Sequence, residues 1–390
     1  RRFNIAGWNS SFTGEPIPVE AMREWLDLTT RSILALKPRR VLEIGCGTGM
    51  ILYSILPHAE HYSAVDLSAH ALETIRTELT PMEREKVTLL QQPADALEGL
   101  QSGTFDTIII NSVCQYFPDA DYFIRVLKRA SELLTPNGRI FVGDVRNLDQ
   151  QDAFHTVATL HQAPSHIEAA EIARRVERRK GQEAELVLSE SFFHALPEAL
   201  PNLSGVDVRL KSGHAATEMN GFRYDVTLYF GFADAEPVDL PVATTASSLS
   251  DVRDALVGAP PVLHLAELVN ARIAPAMKVY ASLDHAPFAT AASMRDQLAA
   301  GSEGIVPGEL VTLSPDYSVE LLPARSGDPA RFDAVLRHRV YGPKGRLQIA
   351  VPVPSRPPAA YANQPATPAA DHAELFDELR AHLREFLPEY

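Results

Sequence analysis

The sequence predicts an α/β fold: a doubly wound, mostly parallel sheet with an antiparallel strand pair at its edge, followed by a smaller α/β unit. Three observations carry this. Apolar, strand-length runs alternate with helix-period segments from about residue 41 to residue 144. The stretch "VLEIGCGTGM", Val41 to Met50, empties an apolar strand into a turn of three glycines. Beyond residue 200, "VDVRLKSG" and "FRYDVTLYFG" carry period-2 character that the earlier alternation lacks.

Bulk properties narrow the class. At 390 residues the chain is too long for one ordinary core and predicts two domains. Its apolar fraction of 45% is that of a globular protein. A net charge of −14 argues against a nucleic-acid surface, which needs a basic footprint. Cys46 and Cys114 are too few for a disulfide framework and lack metal-ligand spacing, so no metal is expected and a reducing cytoplasmic setting is. No apolar run approaches the ~20 residues of a membrane helix, and no signal-peptide pattern opens the chain. The start "RRFNIAGW", without methionine, is that expected of a fragment excised from something larger.

The elements follow in order. In "VEAMREWLDLTTRSILAL", Pro18 precedes a helix over 19–36 that places Met22, Trp25, Leu26, Ile33 and Leu36 roughly on one face. Strand 41–44, helix 49–56, strand 62–65, helix 68–79 and strand 87–90 come next. After a short helical stretch come strand 105–111, helix 119–134 and strand 138–144. A helical segment over 152–181 leads to the two period-2 strands. This gives a lid and helix over 1–36 and a core over 37–232. Over 233–352, "SDVRDALVG", "LAELVNARIA" and "ATAASMRDQLAAG" read as helices, and "YSVELLPA", "FDAVLRHRVYG" and "RLQIAVPV" as strands. A Pro- and Ala-rich linker, "PSRPPAAYANQPATPAAD", then precedes a last amphipathic helix, "AELFDELRAHLREFL", within 353–390.

A glycine turn between strand and helix brings backbone N–H groups to a nucleotide-like ligand. Spacing and charge then separate the alternatives. A G-x-G-x-x-G dinucleotide turn needs glycine or alanine at Met50, but the third glycine is Gly49 after Gly45 and Gly47; a P-loop needs Gly-Lys-Ser/Thr, which is missing. Glu43 beside the turn would repel a pyrophosphate but suits an ammonium and a sulfonium, the charges of S-adenosylmethionine. Asp66 ends the second strand, followed by Leu67, where a carboxylate accepts ribose hydroxyls; Ala94 and Asp95 follow the third, for the adenine; Asn111 ends the fourth. Together these predict a class I, Rossmann-like methyltransferase core.

The blocks "FNIAGWNSSFTGEPIPVEAMREW", "VLEIGCGTGMILY", "FDTIIINSVCQYFPDADYFIRVL", "GRIFVGDVRNL" and "MNGFRYDVTLYFG" resemble the methyltransferase domains embedded in nonribosomal peptide synthetases. The resemblance is dense over 3–232, looser over 233–352, and "LREFLPEY" is similar to the start of a block in the C-terminal part of adenylation domains. It implies an insert beside an adenylation domain, monomeric when excised. It also implies an N-methyltransferase acting on an α-amine held as an aminoacyl thioester on a carrier protein's phosphopantetheine arm. Relatives that methylate oxygen keep a side-chain hydroxyl open as acceptor. A docking insert without catalysis is a third reading, opposed by the intact glycine turn with Glu43, Asp66 and Asp95.

For the acceptor side the resemblance implies Asn111 and Tyr116 near the methyl group, Asp144 as an orienting acid, and Glu218, Asn220, Arg223 and Tyr224 around the acceptor. Five of these have a structural reading beside the functional one: capping for Asn111 and Asp144, packing for Tyr116, strand positions for Arg223 and Tyr224. "WNSSFTGEPIP" reads as a lid, with Ser10, Ser11 and Thr13 as donors and Trp8 or Phe12 excluding water, or as a turn before the first helix. The run "ARRVERRKG" either receives an acidic carrier or a phosphate, or forms a solvated helix face. His155 and His214 read as structural or exposed.

Overall fold

The computed structural model describes residues 2–231, 240–285, 288–301, 303–343 and 355–366. Strands β1 (Arg40–Ile44), β2 (His61–Asp66), β3 (Val87–Gln91), β4 (Phe105–Asn111), β5 (Leu134–Arg146), β6 (Leu203–Leu210) and β7 (Arg223–Phe230) form one sheet, ordered β3-β2-β1-β4-β5-β7-β6. The first five run parallel, and β7 lies antiparallel between β5 and β6. Strand order reverses at β1 and β4, so a crevice opens at their carboxyl ends, where sheets of this type bind ligands.

Both faces are covered, which is why the strands read as near-continuous apolar runs. On one face Leu42, Ile44, Ile108 and Ile110 meet Phe123, Val126 and Leu127 of the helix Ala120–Leu133. On the other, Val41, Tyr62 and Ile109 meet Met22 and Trp25 of the helix Val19–Ala35. Alternate residues of one strand thus serve opposite layers.

Under the carboxyl edge lies a buried ionic knot. Asp144, fully buried, takes up φ 60 where the register of β5 against β7 shifts between Val142 and Val145. Its carboxylate accepts from Trp25 Nε1 at 2.6 Å and Ser112 Oγ at 2.5 Å, and faces Lys211 Nζ at 2.5 Å. Lys211 also donates to Asp225 at 2.5 Å, and Asp225 accepts the Asp144 N–H at 2.9 Å. Burial pushes the Asp144 carboxyl up, but Lys211 and then Arg223 outweigh it and hold its pKa low; Asp225 is raised, by burial first and by the Asp144 charge beside it, against the pull of Lys211.

A second sheet, ordered β8-β10-β9, joins β8 (Val262–Val269), β9 (Tyr317–Pro323) and β10 (Arg331–His338) in antiparallel fashion. It packs beside β6, where Arg209 reaches Glu320. The helices Ala274–Ser282 and Ala291–Ala299 share a core with Leu160, Ile172 and Val176, so this unit braces the helical layer over residues 151–181.

Several expectations need correction. "LAELVNARIA" is strand β8 and then a turn, because Glu267 at φ 58 bulges the strand and buries Leu265 and Leu268 three residues apart, a helix-like spacing. The segment 152–181 is two helices, Gln151–Gln162 and Ala169–Gly181, separated around Pro164. No helix follows β3; instead Thr80 caps a short turn of helix, Pro81–Arg84, before it. The described part of the Pro- and Ala-rich segment is no free linker. Asn363 donates from its backbone to Val187 O at 3.1 Å, and Ala366 to Glu183 O at 2.7 Å, docking it along 183–189. "RLQIAVPV" and the last helix lie outside the described residues.

Asp144→Ala is expected to destabilise the protein by about 3–5 kcal/mol in urea denaturation, because it leaves Lys211 and Trp25 Nε1 short of a buried partner. Exposed Asp121→Ala is expected to stay within about 0.5 kcal/mol.

Candidate active site

The crevice at β1 and β4 opens into a cavity of about 530 Å³. Its floor is the glycine turn. Gly45 and Cys46 both donate to Val65 O, at 2.7 and 3.1 Å, which folds the turn back over β2. Gly45 has φ 76, and a Cβ there would lie 2.4 Å from Val113 Cγ2, so only glycine lets the turn pass β4. Gly47 has φ 49 and donates to Asp66 Oδ2 at 2.8 Å. A Cβ at Gly47 would meet nothing within 4 Å and would project into free space. Gly49, at φ 88, precedes the helix Met50–Ile55 and does not line the cavity.

Glu43 is 3% exposed, yet it lines the cavity. Burial is the main cause that pushes its carboxyl up to about 8, the Tyr62 hydroxyl at 2.8 Å opposing and Asp66 adding. That raised value favours the protonated carboxyl near neutral pH. Asp66 also accepts from Ser68 N at 2.8 Å, which fixes its orientation at the end of β2.

The segment 8–18 ahead of the first helix is a tight hairpin in which Asn9 and Pro16 form a bridge. Trp8 lines the cavity and lies 5.0 Å from the Trp25 ring. Ser10 and Ser11, of which Ser11 lines the cavity, both donate to Glu218 in its wall: Ser10 Oγ at 3.0 Å, Ser11 Oγ at 2.8 Å, and Ser11 N at 2.9 Å. Phe12 packs on Phe154, His161 and Phe222, and Thr13 accepts from Glu15 N at 3.2 Å away from the cavity.

The wall facing the turn comprises Asn111, Ser112, Gln115, Glu185, Glu218 and Arg223, with Tyr116, 72% exposed, at the rim. Asn111 leans over β5 because position 143 is glycine; a Cβ there would sit 1.9 Å from its Oδ1. Gln115 and Glu185 were not singled out from the sequence. Gln115 is 3% exposed and its Oε1 has no hydrogen-bond partner, a buried acceptor facing the need of a donor. The signal for it was its place between Asn111 and Tyr116.

Other expected residues lie elsewhere. Asp144 sits beneath the wall with its carboxylate spent on Trp25, Ser112 and Lys211, so it steadies the site and does not orient an acceptor. Tyr224 is fully buried and donates to Leu188 O at 3.0 Å, because β7 is interior to the sheet. Asn220 donates to Glu24 at 3.2 Å and to Ala215 O at 2.9 Å, outside the cavity. Asp95 accepts from Tyr122 Oη at 2.9 Å, Ala94 packs on the core, and Leu67 is exposed; none of the three lines the cavity. Both cysteines are buried and free, and burial pushes the Cys114 thiol to about 12. His155 is buried against Glu183, and His214 is exposed. Among the described residues no group of His, Cys, Asp and Glu could hold a metal, and no helix is long and apolar enough to cross a membrane.

Comparison with known proteins agrees with this geometry. Residues 42–140 match the family described as a methyltransferase domain. All of the chain is 35% identical to a segment of the chondramide synthase of Chondromyces crocatus, covering 10% of that protein. Over 64% of the chain it is 40% identical to a probable non-canonical nonribosomal peptide synthetase of Salinispora arenicola, covering 3% of it. The chain thus spans a tenth or less of these relatives' length. An N-methyltransferase structure from Bradyrhizobium japonicum covers 53% of this chain and 86% of its own at 16% identity and a TM-score of 0.37.

Fold, site and family match define an S-adenosylmethionine-dependent methyltransferase domain. Its particular kinship, carried by the long relatives, is with the methyltransferase domains of nonribosomal peptide synthetases.

The residues fit that methyl donor. Gly47 leaves the space that an added Cβ would enter, and Glu43 and Asp66 supply carboxyls beside it. Glu43 would face the amino group, Asp66 the ribose, and Trp8 would keep water out.

Because Glu43 must lose its proton to pair with a cation, binding of S-adenosylhomocysteine is expected to tighten roughly 10- to 50-fold from pH 6 to pH 8. In Glu43→Gln the affinity should be weaker and nearly flat with pH, measured by calorimetry in buffers of different ionisation heat.

Proposed function

We propose that this domain transfers a methyl group from S-adenosylmethionine to the α-amine of an aminoacyl thioester carried by a carrier protein, as an insert beside an adenylation domain. The observation that carries this reading is the make-up of the cavity. Among its described residues are the carboxyls Glu43, Asp66, Glu185 and Glu218 and the single cation Arg223, with neither histidine nor lysine. Such a wall favours cationic ligands and offers only weak bases.

That is what an amine requires. An α-amine has a pKa of roughly 7.7–8.0, so a useful fraction is neutral near neutral pH and a carboxylate or water can take its proton. A phenol near pKa 10 would ask for a stronger base. When bound, the cofactor supplies an electrophilic methyl on a sulfonium. The protein's work is positioning and desolvation. Gln115 Oε1 and the Glu185 carboxylate are the acceptors we assign to the amine N–H groups. Glu218 holds the lid closed through Ser10 and Ser11. The similarity to synthetases supports the tethered form of the acceptor and its host assembly.

The test is an assay with S-adenosylmethionine and a panel of aminoacyl groups on a carrier protein, the added methyl located by tandem mass spectrometry. A methyl on the α-nitrogen is expected; a methyl on a side-chain oxygen would replace this reading with O-methylation. Gln115→Leu is expected to lower kcat/KM about 10-fold, in the range of one lost polar contact, with S-adenosylhomocysteine binding unchanged.

A further inference from the structure

A second cavity, of about 700 Å³, adjoins the first. Ser11 and Glu185 line both, so the two spaces meet at the wall opposite the glycine turn. One side of the second cavity is formed by the helices Gln151–Gln162 and Ala169–Gly181, the other by residues 183–185. That last stretch is held by the docked segment, through Ala366 N to Glu183 O at 2.7 Å and Asn363 Nδ2 to Glu185 O at 2.9 Å.

Its charges are unevenly matched. Arg146 is taken by Glu183 and Glu185, both at 2.8 Å, and Arg175 by Glu171 at 2.8 Å. Arg178 and Arg179 make no ion pair among the described residues; Arg179 donates to the neutral Gln162. Two guanidinium groups without a counterion therefore line a polar cavity, in a chain of net charge −14. Their place in the last turn of the helix suits its dipole, but that accounts for neither the cavity nor its junction with the methyl-transfer site. Arginine pairs are well matched to phosphate oxygens.

We propose that this second cavity receives the phosphopantetheine arm of the acceptor: Arg178 and Arg179 bind its phosphate, and the arm runs to the Ser11–Glu185 junction, beyond which the thioester-bound amino group enters the cofactor cavity. The assignment rests on the acceptor being tethered, and it makes the run "ARRVERRKG" a substrate-binding face.

The experiment is calorimetric binding of 4′-phosphopantetheine and of pantetheine, which lacks the phosphate, to the whole chain saturated with S-adenosylhomocysteine. The phosphorylated compound is expected to bind at least about 10-fold more tightly. The Arg178→Glu, Arg179→Glu double variant should abolish that preference while leaving pantetheine and S-adenosylhomocysteine affinities unchanged, and Arg178→Gln, Arg179→Gln should reduce it by an intermediate factor. Equal binding of the two compounds by the native chain, or equal loss for both in the variants, would overturn the proposal. So would variants that impair methylation of a carrier-bound substrate but leave free phosphopantetheine binding intact, since the arginines would then read the carrier's surface. A methyl found on oxygen, or none transferred, would defeat the proposed function while the phosphate preference still stood, which separates the two failures.

Discussion

The buried charge set of Asp144, Lys211 and Asp225 is the constraint on which the site depends. Asp144 stands at the end of β5, Ser112 just beyond β4, Trp25 on the first helix, Lys211 just after β6 and Asp225 on β7. Three segments far apart in sequence, carrying Trp25, Ser112 and Lys211, converge on the Asp144 carboxylate, and Asp225 joins them through Lys211 and the Asp144 N–H. In a low-dielectric interior none of these groups can be left unpaired, so the knot sets the height of the helix Val19–Ala35, the turn after β4 and the antiparallel strands together. The bulge that places Asp144 at φ 60 is the local distortion this requires.

From that base the site separates into two halves with different physics. The cofactor half is made by backbone geometry: glycines at positive φ, an N–H to Asp66, and a carboxyl at Glu43 whose pKa burial raises. The wall facing the glycine turn is made by side chains whose remaining capacity differs. Glu218 is filled by lid donors, whereas Gln115 keeps an oxygen without a partner. The N-terminal hairpin is therefore coupled to the cavity wall through Glu218 and to the buried knot through Trp8 and Trp25.

The second unit has a mechanical part in this arrangement. Arg295 donates to the carbonyls of Leu160 and Ala163 at 2.7 and 2.9 Å, capping the helix that walls the second cavity. Arg272 reaches the carbonyls of Gly213 and Asn220 beside the acceptor wall. Loop carbonyls that would otherwise need water are thus satisfied by cations from a neighbouring unit.

The sequence by itself determined the doubly wound core, the glycine turn and the roles open to Glu43 and Asp66, because these follow from local periodicity and from backbone conformations that only particular residues adopt. It also carried the mostly parallel character of the sheet up to the edge pair, through the alternation of strands with helices. Tertiary structure alone decided the rest. Asp144 and Tyr224 stand in motif blocks beside Ser112 and Arg223, yet the bulge and the interior position of β7 turn them into the sheet, while Gln115 and Glu185 reach the cavity from unremarkable positions. Strand β8 was hidden for the same kind of reason: a bulge resets the period of burial, and nothing in local spacing encodes it. Side-chain direction depends on partners distant in sequence, and those partners exist only once the chain has folded.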